Sequence, residues 1–537
     1  MRILVFGMMM LFFCFKLKSQ TISMSTGGGN LNNGAYNLTN LLYADILEST
    51  GAKMVRVNLY PNDYWDFAND EPRTNYADLM LLHLAEKNIQ VVFLFEHYAS
   101  FVSLGQPLGD YSKWHQIGAA FADRYQPGSA FFASNGYPNY GVIYYTAINE
   151  PDIGGYMPLT IADGPENYHD AIEGLADGVH SVNSQMKVIP GGFASENAAL
   201  DHTLNGFGTA IADLFNNGKL YGIDLHTYND VSYAPILKYD NTNHEQFMAY
   251  YDFYEVKQGC GITADIKFCP TEFGFKENTQ NINDVLAAKR LLTCIWGNLG
   301  TVANDGFSRA TEYALIWNLY NLVLDDPIYG MCLSQSPYVP TLKGKTFNLV
   351  LDLANDMEFV KLDPFDRGEY ILIGSNKKMW VLQNYNLLSS IYGSSYTINQ
   401  IPVETDSIKV YDWQGKVSSI QYSGAESVTI DGLNVNETYM IVAESNTPLA
   451  SLDVEKQQLK VYPNPAQNVI TLELENDFTP TTISVINLQG KTIMQQSWSG
   501  SKKCNLVTGN WSPGTYIIRL FDSANNETIV QKVTIND

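Results

Sequence analysis

The sequence predicts an α/β fold, a (β/α)8 TIM barrel over residues 21–330, followed by two smaller all-β domains. Two observations predict the barrel. Short runs rich in β-branched and aromatic residues alternate with helical stretches, and eight such runs occur within about 300 residues. The predicted strands are residues 21–25, 54–59, 91–96, 142–150, 187–193, 222–228, 266–273 and 313–320.

The stretches between these runs have the periodicity of helices. In residues 76–87, Leu79, Leu82 and Leu84 lie on or near one face, and the other positions include Asp78 and Glu86. Helices are also predicted at residues 111–125, 166–183 and 283–299. The alternative is a doubly wound open sheet, which usually has fewer strands and a glycine-rich phosphate loop. The triplet at residues 27–29 lacks the spacing of that loop.

The pattern changes after about residue 331, where helices are no longer predicted. Strand-like runs at residues 370–374, 378–386, 408–413, 427–433 and 438–444 predict a β-sandwich over residues 331–446. A polar linker follows at residues 445–448. A second all-β module is predicted at residues 452–537.

Length and composition limit the class of protein. A chain of 537 residues is too long for one compact domain, and its 45% hydrophobic content excludes disorder for most of its length. The formal net charge of −23 at pH 7 repels nucleic acid and anionic membranes, so we expect neither as a partner. The oligomeric state stays open.

The N-terminal residues have the features of a targeting segment. Arg2 precedes an apolar stretch at residues 3–15 that is too short to span a bilayer, which predicts a signal peptide over residues 1–20. We expect cleavage near Ser19 or Gln20 and no membrane-spanning segment later in the chain. The sequence therefore predicts a secreted protein.

Five of the six cysteines lie after this segment, and their spacing fits no zinc site. Cys269 and Cys294 lie in apolar runs, which favours buried free thiols. A Cys260–Cys269 disulfide is the alternative. The histidines His97, His202 and His226 are scattered without ligand spacing, so we expect no metal site.

Two glutamates are the strongest functional signal. Glu150 ends the fourth predicted strand in Asn149-Glu150-Pro151, and Glu272 ends the seventh in Thr271-Glu272. The C-terminal ends of barrel strands meet at the mouth where such barrels do chemistry. Two carboxyls about 5–5.5 Å apart, one acid and one nucleophile, can cleave a glycosidic bond with retention of configuration. We therefore predict Glu150 and Glu272 as the catalytic pair.

Other strand ends offer supporting groups. Arg56, on the second strand, would hold a carboxylate ionised by its charge. His226 and Tyr228 are two residues apart on the sixth strand, so they face the same way and could orient a carboxylate. Asn149 could hydrogen-bond the sugar hydroxyl beside the reacting carbon.

Aromatic residues predict sugar-binding surfaces. Trp317, on the eighth strand, offers a flat face for a sugar ring, and the loop residues Tyr60, Trp65 and Tyr98 could add platforms further out. Glu96 and His97, at the end of the third strand, could line the cleft. Asp224 and Glu312 are interpreted as structural groups.

These residues together resemble clan A glycoside hydrolases, which are retaining (β/α)8 enzymes. The resemblance implies that Glu150 is the acid/base and Glu272 the nucleophile. It also implies supporting roles for Arg56, Trp317 and the His226/Tyr228 pair, a polysaccharide or oligosaccharide substrate, and no cofactor. Two alternatives stay open: a non-catalytic carbohydrate-binding barrel, and a surface adhesin in which the β modules bind.

The C-terminal module carries its own signature, which includes Val461-Tyr462-Pro463-Asn464-Pro465 and Ser512-Pro513-Gly514-Thr515-Tyr516. It resembles the C-terminal sorting domain of Bacteroidetes proteins exported by the type IX system. The resemblance implies handling by that secretion machinery and a secreted or cell-surface location. A small immunoglobulin-like binding or spacer domain is the alternative.

Overall fold

The structure is a computed structural model. It describes residues 21–25, 41–96, 109–151, 164–193, 206–228, 239–240, 243–244, 248–274, 284–303, 309–316, 332–335, 338–354, 357–363, 368–384, 393–447, 459–474, 480–487, 492–498, 502–522 and 527–536. The predicted signal peptide lies outside the described residues.

Eight parallel strand positions form the first sheet. They are β1 (Thr21–Ser25), β2 (Met54–Leu59), β3 (Gln90–Phe95), β4 (Tyr144–Ala147), β5 (Lys187–Pro190), β6 (Gly222–Ile223 and Thr227–Tyr228), β7 (Lys267–Phe268 and Phe273–Gly274) and β8 (Tyr313–Ile316). Their order in the sheet is β5-β4-β3-β2-β1-β8-β7-β6. A parallel bridge from Phe193 to Leu225 joins the two ends of this order, so the sheet closes on itself. The closure excludes the doubly wound open sheet.

Helices follow the strands along the chain, as the alternating pattern predicted. They span Leu41–Thr50, Pro61–Tyr64, Asn75–Glu86, Tyr111–Tyr125, Ala130–Ser134, Gly164–Val182, Phe207–Ala210, Ala212–Asn216, Met248–Gly259 and Asp284–Leu299. Short paired strands lie at Trp65–Asp66 with Glu71–Pro72, Tyr239–Asp240 with Asn243–His244, and Cys332–Gln335 with Tyr338–Pro340.

Strands β2, β3, β4, β5 and β8 bury side chains on both of their faces, since alternate side chains point to opposite sides of a sheet. One set packs inside the closed sheet as a small apolar cluster of Met54, Val92, Tyr144, Ile189, Cys269, Tyr313 and Leu315. The other set packs outward against the helices in the largest core of the molecule. The interior is therefore filled near the start of the strands, and polar residues lie towards their ends.

A polar cluster of Glu312, Lys187, Tyr144 and Tyr221 lies at the N-terminal end of the closed sheet. Glu312 pairs with the ammonium of Lys187 and accepts hydrogen bonds from Tyr144 Oη at 2.7 Å and Tyr221 Oη at 2.8 Å. Burial alone would raise the pKa of Glu312, but Lys187 and the two tyrosines together lower it below its ordinary value. Glu312 is thus a structural carboxylate, as the sequence indicated.

We expect Glu312→Gln to destabilise the protein by about 1–3 kcal/mol, because it leaves the partly buried Lys187 ammonium without its counter-charge. A carboxyl with a depressed pKa stabilises the fold above its ordinary pKa and loses that effect as the pH falls through the folded value. The midpoints of thermal unfolding of wild type and variant should therefore differ at neutral pH and converge as the pH falls through the lowered pKa of Glu312. Equal midpoints at neutral pH would contradict this role.

The second unit contains six strands in one sheet, in the order Glu358–Asp363, Glu369–Ile373, Lys377–Asn384, Glu437–Glu444, Ser407–Asp412 and Gly415–Gln421. A two-stranded sheet of Ser395–Asn399 and Ser427–Asp431 shares a core with one face, which includes Trp380, Ile398 and Ile441. The other face contributes Leu372, Met379 and Val442 to the core around the helices of the first unit. Both faces of the central strands are therefore buried.

The prediction that helices end at about residue 331 is wrong. A helix spans Leu342–Ala354 and packs against the helix Asp284–Leu299. Phe347, Val350, Leu351 and Ala354 are buried in it at helical spacing, so the sequence did contain the signal.

The two units form a continuous interface. Thr293 Oγ1 lies 2.9 Å from Thr438 Oγ1, and Gln383 Nε2 donates to the backbone oxygen of Thr293 at 3.1 Å. Trp296 stacks on Tyr370 with ring centroids 6.5 Å apart. These contacts indicate that the second unit packs directly against the first and supports it.

The third unit is all β, as predicted. Its two sheets contain Leu459–Tyr462, Val469–Leu474 and Lys503–Val507, and then Thr492–Ser497, Thr482–Asn487, Gly514–Asp522 and Glu527–Ile535. Their shared core is separate from the others and includes Ile470, Val485, Ile518 and Val533.

Two further findings concern disulfide bonds and membrane-spanning helices. Cys260, Cys269 and Cys294 are buried free thiols, so the Cys260–Cys269 disulfide does not form and the favoured interpretation is confirmed. Within the part of the chain that the structure describes, none of the helices combines the length and apolar character needed to cross a membrane.

Candidate active site

The end of β4 departs from regular strand geometry. Ile148 has φ +63° and Glu150 has φ +45°, values that are rare for residues with a side chain and most unusual for a β-branched one. Ala147 and Ile148 are consecutive yet both belong to the outward core. The left-handed conformation of Ile148 thus breaks the alternation of side chains between the two faces of the sheet. The next side chain, Asn149, reaches Arg56 on the inner side. Such local strain is typical of functional sites.

Glu150, His226 and Glu272 meet at this point. His226 Nδ1 lies 2.6 Å from Glu150 Oε1 and 3.4 Å from Glu272 Oε2. One carboxylate oxygen of each glutamate and a ring nitrogen of His226 all lie within 4.8 Å of one another. The two carboxyls predicted from the sequence are therefore neighbours, although they come from β4 and β7.

Arg56 holds Glu272 from the other side. Its guanidinium pairs with Glu272 Oε1, and Nη1 donates to Thr271 Oγ1 at 2.8 Å and Asn149 Oδ1 at 3.3 Å. Both charged side chains are buried, with 1% and 4% of their surfaces exposed. Burial lowers the pKa of Arg56, but Glu272, Asp224 and Glu96 together raise it, so the guanidinium stays charged. The fixed guanidinium of Arg56 therefore lies directly against one carboxylate oxygen of Glu272.

Asp224 anchors the irregular part of β7. Its Oδ1 accepts from the backbone nitrogen of Thr271 at 2.8 Å, and its Oδ2 accepts from Thr271 Oγ1 at 2.6 Å. These two hydrogen bonds hold Thr271 where the regular pairing of β7 is interrupted. Burial raises the pKa of Asp224 to about 6, against the opposing charge of His226.

His226 is a second buried cation of the cluster, beside Arg56. Burial would lower its pKa, but Glu272 first, then the hydrogen bond to Glu150, raise the pKa of His226 to about 9. The ring is therefore protonated at neutral pH, and Nδ1–H donates to Glu150. Its other nitrogen, Nε2, lies 3.4 Å from Thr271 Oγ1.

The three groups Glu150, His226 and Glu272 have the spacing of a possible metal site. A metal needs a neutral imidazole, whereas the carboxylates favour the imidazolium form of His226. The charged Arg56 on Glu272 also opposes a second cation. The chemistry of this donor set fits proton sharing better than metal binding. A second group, His169, Asp170 and Glu173, lies at the surface.

Gly191 and Gly192 make the approach of β4, β5 and β6 possible. The Gly192 carbonyl accepts from the Glu150 backbone nitrogen at 2.7 Å. A Cβ at Gly192 would overlap the imidazole of His226, and one at Gly191 would overlap the carbonyl of Ile148. Neither position has room for a side chain.

We expect Gly192→Ala to lower kcat/KM about 10- to 100-fold, because the new methyl group displaces His226 from both carboxyls at a cost of about 1–3 kcal/mol. Gly259→Ala is the matched control, since a Cβ there meets nothing within 4 Å. Steady-state kinetics and thermal unfolding of both variants check this. Unchanged kinetics for Gly192→Ala would contradict the steric role.

The other predicted site residues have mixed outcomes. Tyr228 lies on β6 beside Gly274, but the structure does not describe its side chain. Trp317, His97 and Tyr98 lie outside the described residues. Tyr60 and Trp65 are buried, with 4% and 3% exposed, so their prediction as sugar platforms is wrong in this structure. Trp65 instead donates to Asp70 and packs under the Lys113 ammonium.

Asn58, to which the sequence assigned no role, joins the cluster and contacts Glu96, which the sequence places at the cleft. Asn58 Oδ1 accepts from Arg56 Nε at 3.1 Å, and Asn58 Nδ2 donates to Glu96 Oε1 at 2.8 Å. The alternation of β2 would have found Asn58, because it lies two residues after Arg56 and faces the same side.

Comparison with solved structures identifies the fold. A family 39 glycoside hydrolase from the gut symbiont Bacteroides cellulosilyticus WH2 matches with a TM-score of 0.50 and 12% identity, over 79% of this chain and 81% of that one. Wild-type BuGH86 in complex with neoagarooctaose matches with a TM-score of 0.51 and 12% identity, over 96% and 90%. A bacterial orthologue of human α-L-iduronidase matches with a TM-score of 0.51 and 11% identity, over 95% and 96%.

At these identities the likeness establishes the fold alone, and it is the fold that the resemblance to clan A glycoside hydrolases predicted. No curated protein matches the chain. Residues 460–536 match the family described as the secretion system C-terminal sorting domain, which confirms the prediction for the third unit. The chain therefore carries a type IX sorting domain at its C-terminus, and it is an exported protein with a secreted or cell-surface location.

Proposed function

We propose that this protein is a retaining β-glycoside hydrolase that cleaves a polysaccharide or oligosaccharide by double displacement. One observation carries the proposal: carboxylate oxygens of Glu150 and Glu272 lie within 4.8 Å of each other. Retaining enzymes hold their carboxyls about 5–5.5 Å apart, whereas inverting enzymes need about 6.5–9.5 Å to admit a water molecule. The short separation favours direct attack by one carboxylate.

Arg56 and His226 suit the two carboxyls to different roles. Glu272 is deeply buried and paired with the fixed cation Arg56, so it is the nucleophile that attacks the anomeric carbon. Glu150 is more exposed, at 15% of its side chain, and contacts only the titratable His226 among the described cations. It protonates the leaving oxygen and later removes a proton from the attacking water.

His226 links the two steps. Its Nδ1–H lies between Glu150 and Glu272, closer to Glu150. When the glycosyl-enzyme forms, Glu272 loses its charge, and Glu150 has given its proton to the leaving group. The imidazolium then stabilises the Glu150 carboxylate, which acts as the base in the second step.

We also propose a revised domain organisation. Residues 21 to about 354 form the (β/α)8 catalytic barrel, since the helix Leu342–Ala354 packs on its helices. A β-sandwich follows to about residue 446, and the sorting domain begins near residue 460. Export suits an enzyme whose substrate is a polymer outside the cell.

The test is to incubate wild type and Glu272→Gln with β-linked glucans, xylans, mannans and galactans and to measure new reducing ends. Release by wild type alone supports the proposal and names the substrate class. If wild type releases nothing but binds one polymer, and Glu272→Gln binds it equally, the carbohydrate-binding or adhesin alternative replaces it.

A further inference from the structure

Glu96 is a buried carboxyl that the proposed reaction does not use. It directly follows β3, and only 1% of its surface is exposed. Oε1 accepts from Asn58 Nδ2 at 2.8 Å, while Oε2 is buried and has no hydrogen-bond partner among the described residues. Buried carboxyl oxygens are nearly always satisfied, so this one needs an explanation.

Asn58 connects Glu96 to the proposed nucleophile. Its amide oxygen accepts from Arg56 Nε at 3.1 Å, and Arg56 pairs with Glu272. The two ends of an amide are not equivalent. Because Glu96 accepts from the amide nitrogen, the amide oxygen is turned towards Arg56. With the amide reversed, two donors would face each other and the guanidinium would lose a support.

We infer that Glu96, in its neutral form, is a positioning residue that acts through Asn58 to hold Arg56 on Glu272. This inference rests on the proposed role of Glu272. A neutral Glu96 accepts from Asn58 through Oε1 and carries its proton on Oε2. It orients Asn58, and through Asn58 it orients Arg56, without a negative charge that would compete with Glu272 for the guanidinium. We call this series of contacts, from Glu96 through Asn58 and Arg56 to Glu272, the relay.

The surroundings of Glu96 favour the neutral form. Burial raises the pKa of Glu96 to about 8, with Arg56 on β2 opposing the shift. Glu272 at β7 and Glu150 after β4 add to the rise, and His226 on β6 reduces it. A group with a raised pKa is neutral below it and ionised above it. As the pH rises through about 8, a new carboxylate competes with Glu272 for the guanidinium, and kcat/KM should fall.

The kinetic test uses a dinitrophenyl glycoside of the sugar that the polymer panel selects, because such a leaving group does not need protonation by Glu150. Wild type should lose kcat/KM above about pH 8. The variant Glu96→Gln keeps a side-chain oxygen that can accept from Asn58 Nδ2, but it cannot ionise. In this variant the fall in kcat/KM should therefore move to higher pH. In Glu96→Ala, kcat should fall about tenfold with little change in KM, a loss of about 1.4 kcal/mol. Glu369→Gln, an equally buried glutamate in the second unit, should match wild type.

An NMR titration tests the relay without activity. In protein labelled with ¹³C at the glutamate carboxyls, the signal removed by Glu96→Gln should titrate near pH 8. The signal removed by Glu272→Gln should shift in Glu96→Ala. Titration of Glu96 below about pH 6, or kinetics of Glu96→Gln and Glu96→Ala identical to wild type, would overturn the inference. An inactive wild type whose Glu96 and Glu272 signals behave as expected would instead refute the proposed function and keep the relay.

Discussion

Glu272→Gln should abolish turnover, with a loss of at least about 10³-fold in kcat, or about 4 kcal/mol of barrier. The amide cannot attack the anomeric carbon, whereas its oxygen can still accept from Arg56 where Glu272 Oε1 does now. The fold should therefore be retained. Reducing-end assays with the selected polymer measure the loss.

The control for this variant is Glu369→Gln, which changes an equally buried glutamate far from the cluster. Thermal unfolding and far-UV circular dichroism should show that both variants are folded. If folded Glu272→Gln kept more than about a tenth of wild-type activity, Glu272 could not be the nucleophile.

Glu150→Ala should slow hydrolysis of the natural linkage by about 10²–10⁴-fold, since general acid–base catalysis contributes about that much. The effect should depend on the leaving group. Glycosides of acidic phenols should form the glycosyl-enzyme almost normally and then stall, because no base activates water. Burst kinetics with a dinitrophenyl glycoside would reveal this.

Added azide separates the roles of the two glutamates. With Glu150→Ala, azide should react with the glycosyl-enzyme and give a β-glycosyl azide, which restores turnover. With Glu272→Ala, azide should attack the substrate directly and give the α-glycosyl azide. The same azide anomer from both variants would mean that the roles assigned to Glu150 and Glu272 are wrong.

The strands of the closed sheet could be predicted because they combine apolar runs with regular spacing. Residues 21–25 and 54–59 coincide with β1 and β2, and the helix at 111–125 has its predicted bounds. β4 and β5 are shorter than the predicted runs at residues 142–150 and 187–193. β7 is interrupted at residues 269–272, where Thr271 is held by Asp224, a residue that is distant in sequence.

The candidate pair could also be predicted, because both glutamates follow apolar runs. The contacts around the pair could not. No propensity predicts a left-handed Ile148, which local energetics disfavour and only the surrounding packing maintains. The relay from Glu96 through Asn58 depends on the register between β2 and β3, which the sequence does not specify.

The burial of loop residues is the other feature that the sequence did not predict. The sequence predicts Trp65 as a sugar platform in a loop, but paired short strands and Lys113 enclose it. Loops take their burial from tertiary contacts rather than from local sequence.

The most direct test of the proposed mechanism is the anomeric configuration of the first product, followed by ¹H NMR during hydrolysis of the selected β-linked substrate. Double displacement by Glu272 and Glu150 predicts that the β-anomer forms first and then mutarotates to the mixture. Initial formation of the α-anomer would contradict the account, because it requires a single displacement by water between the two carboxyls.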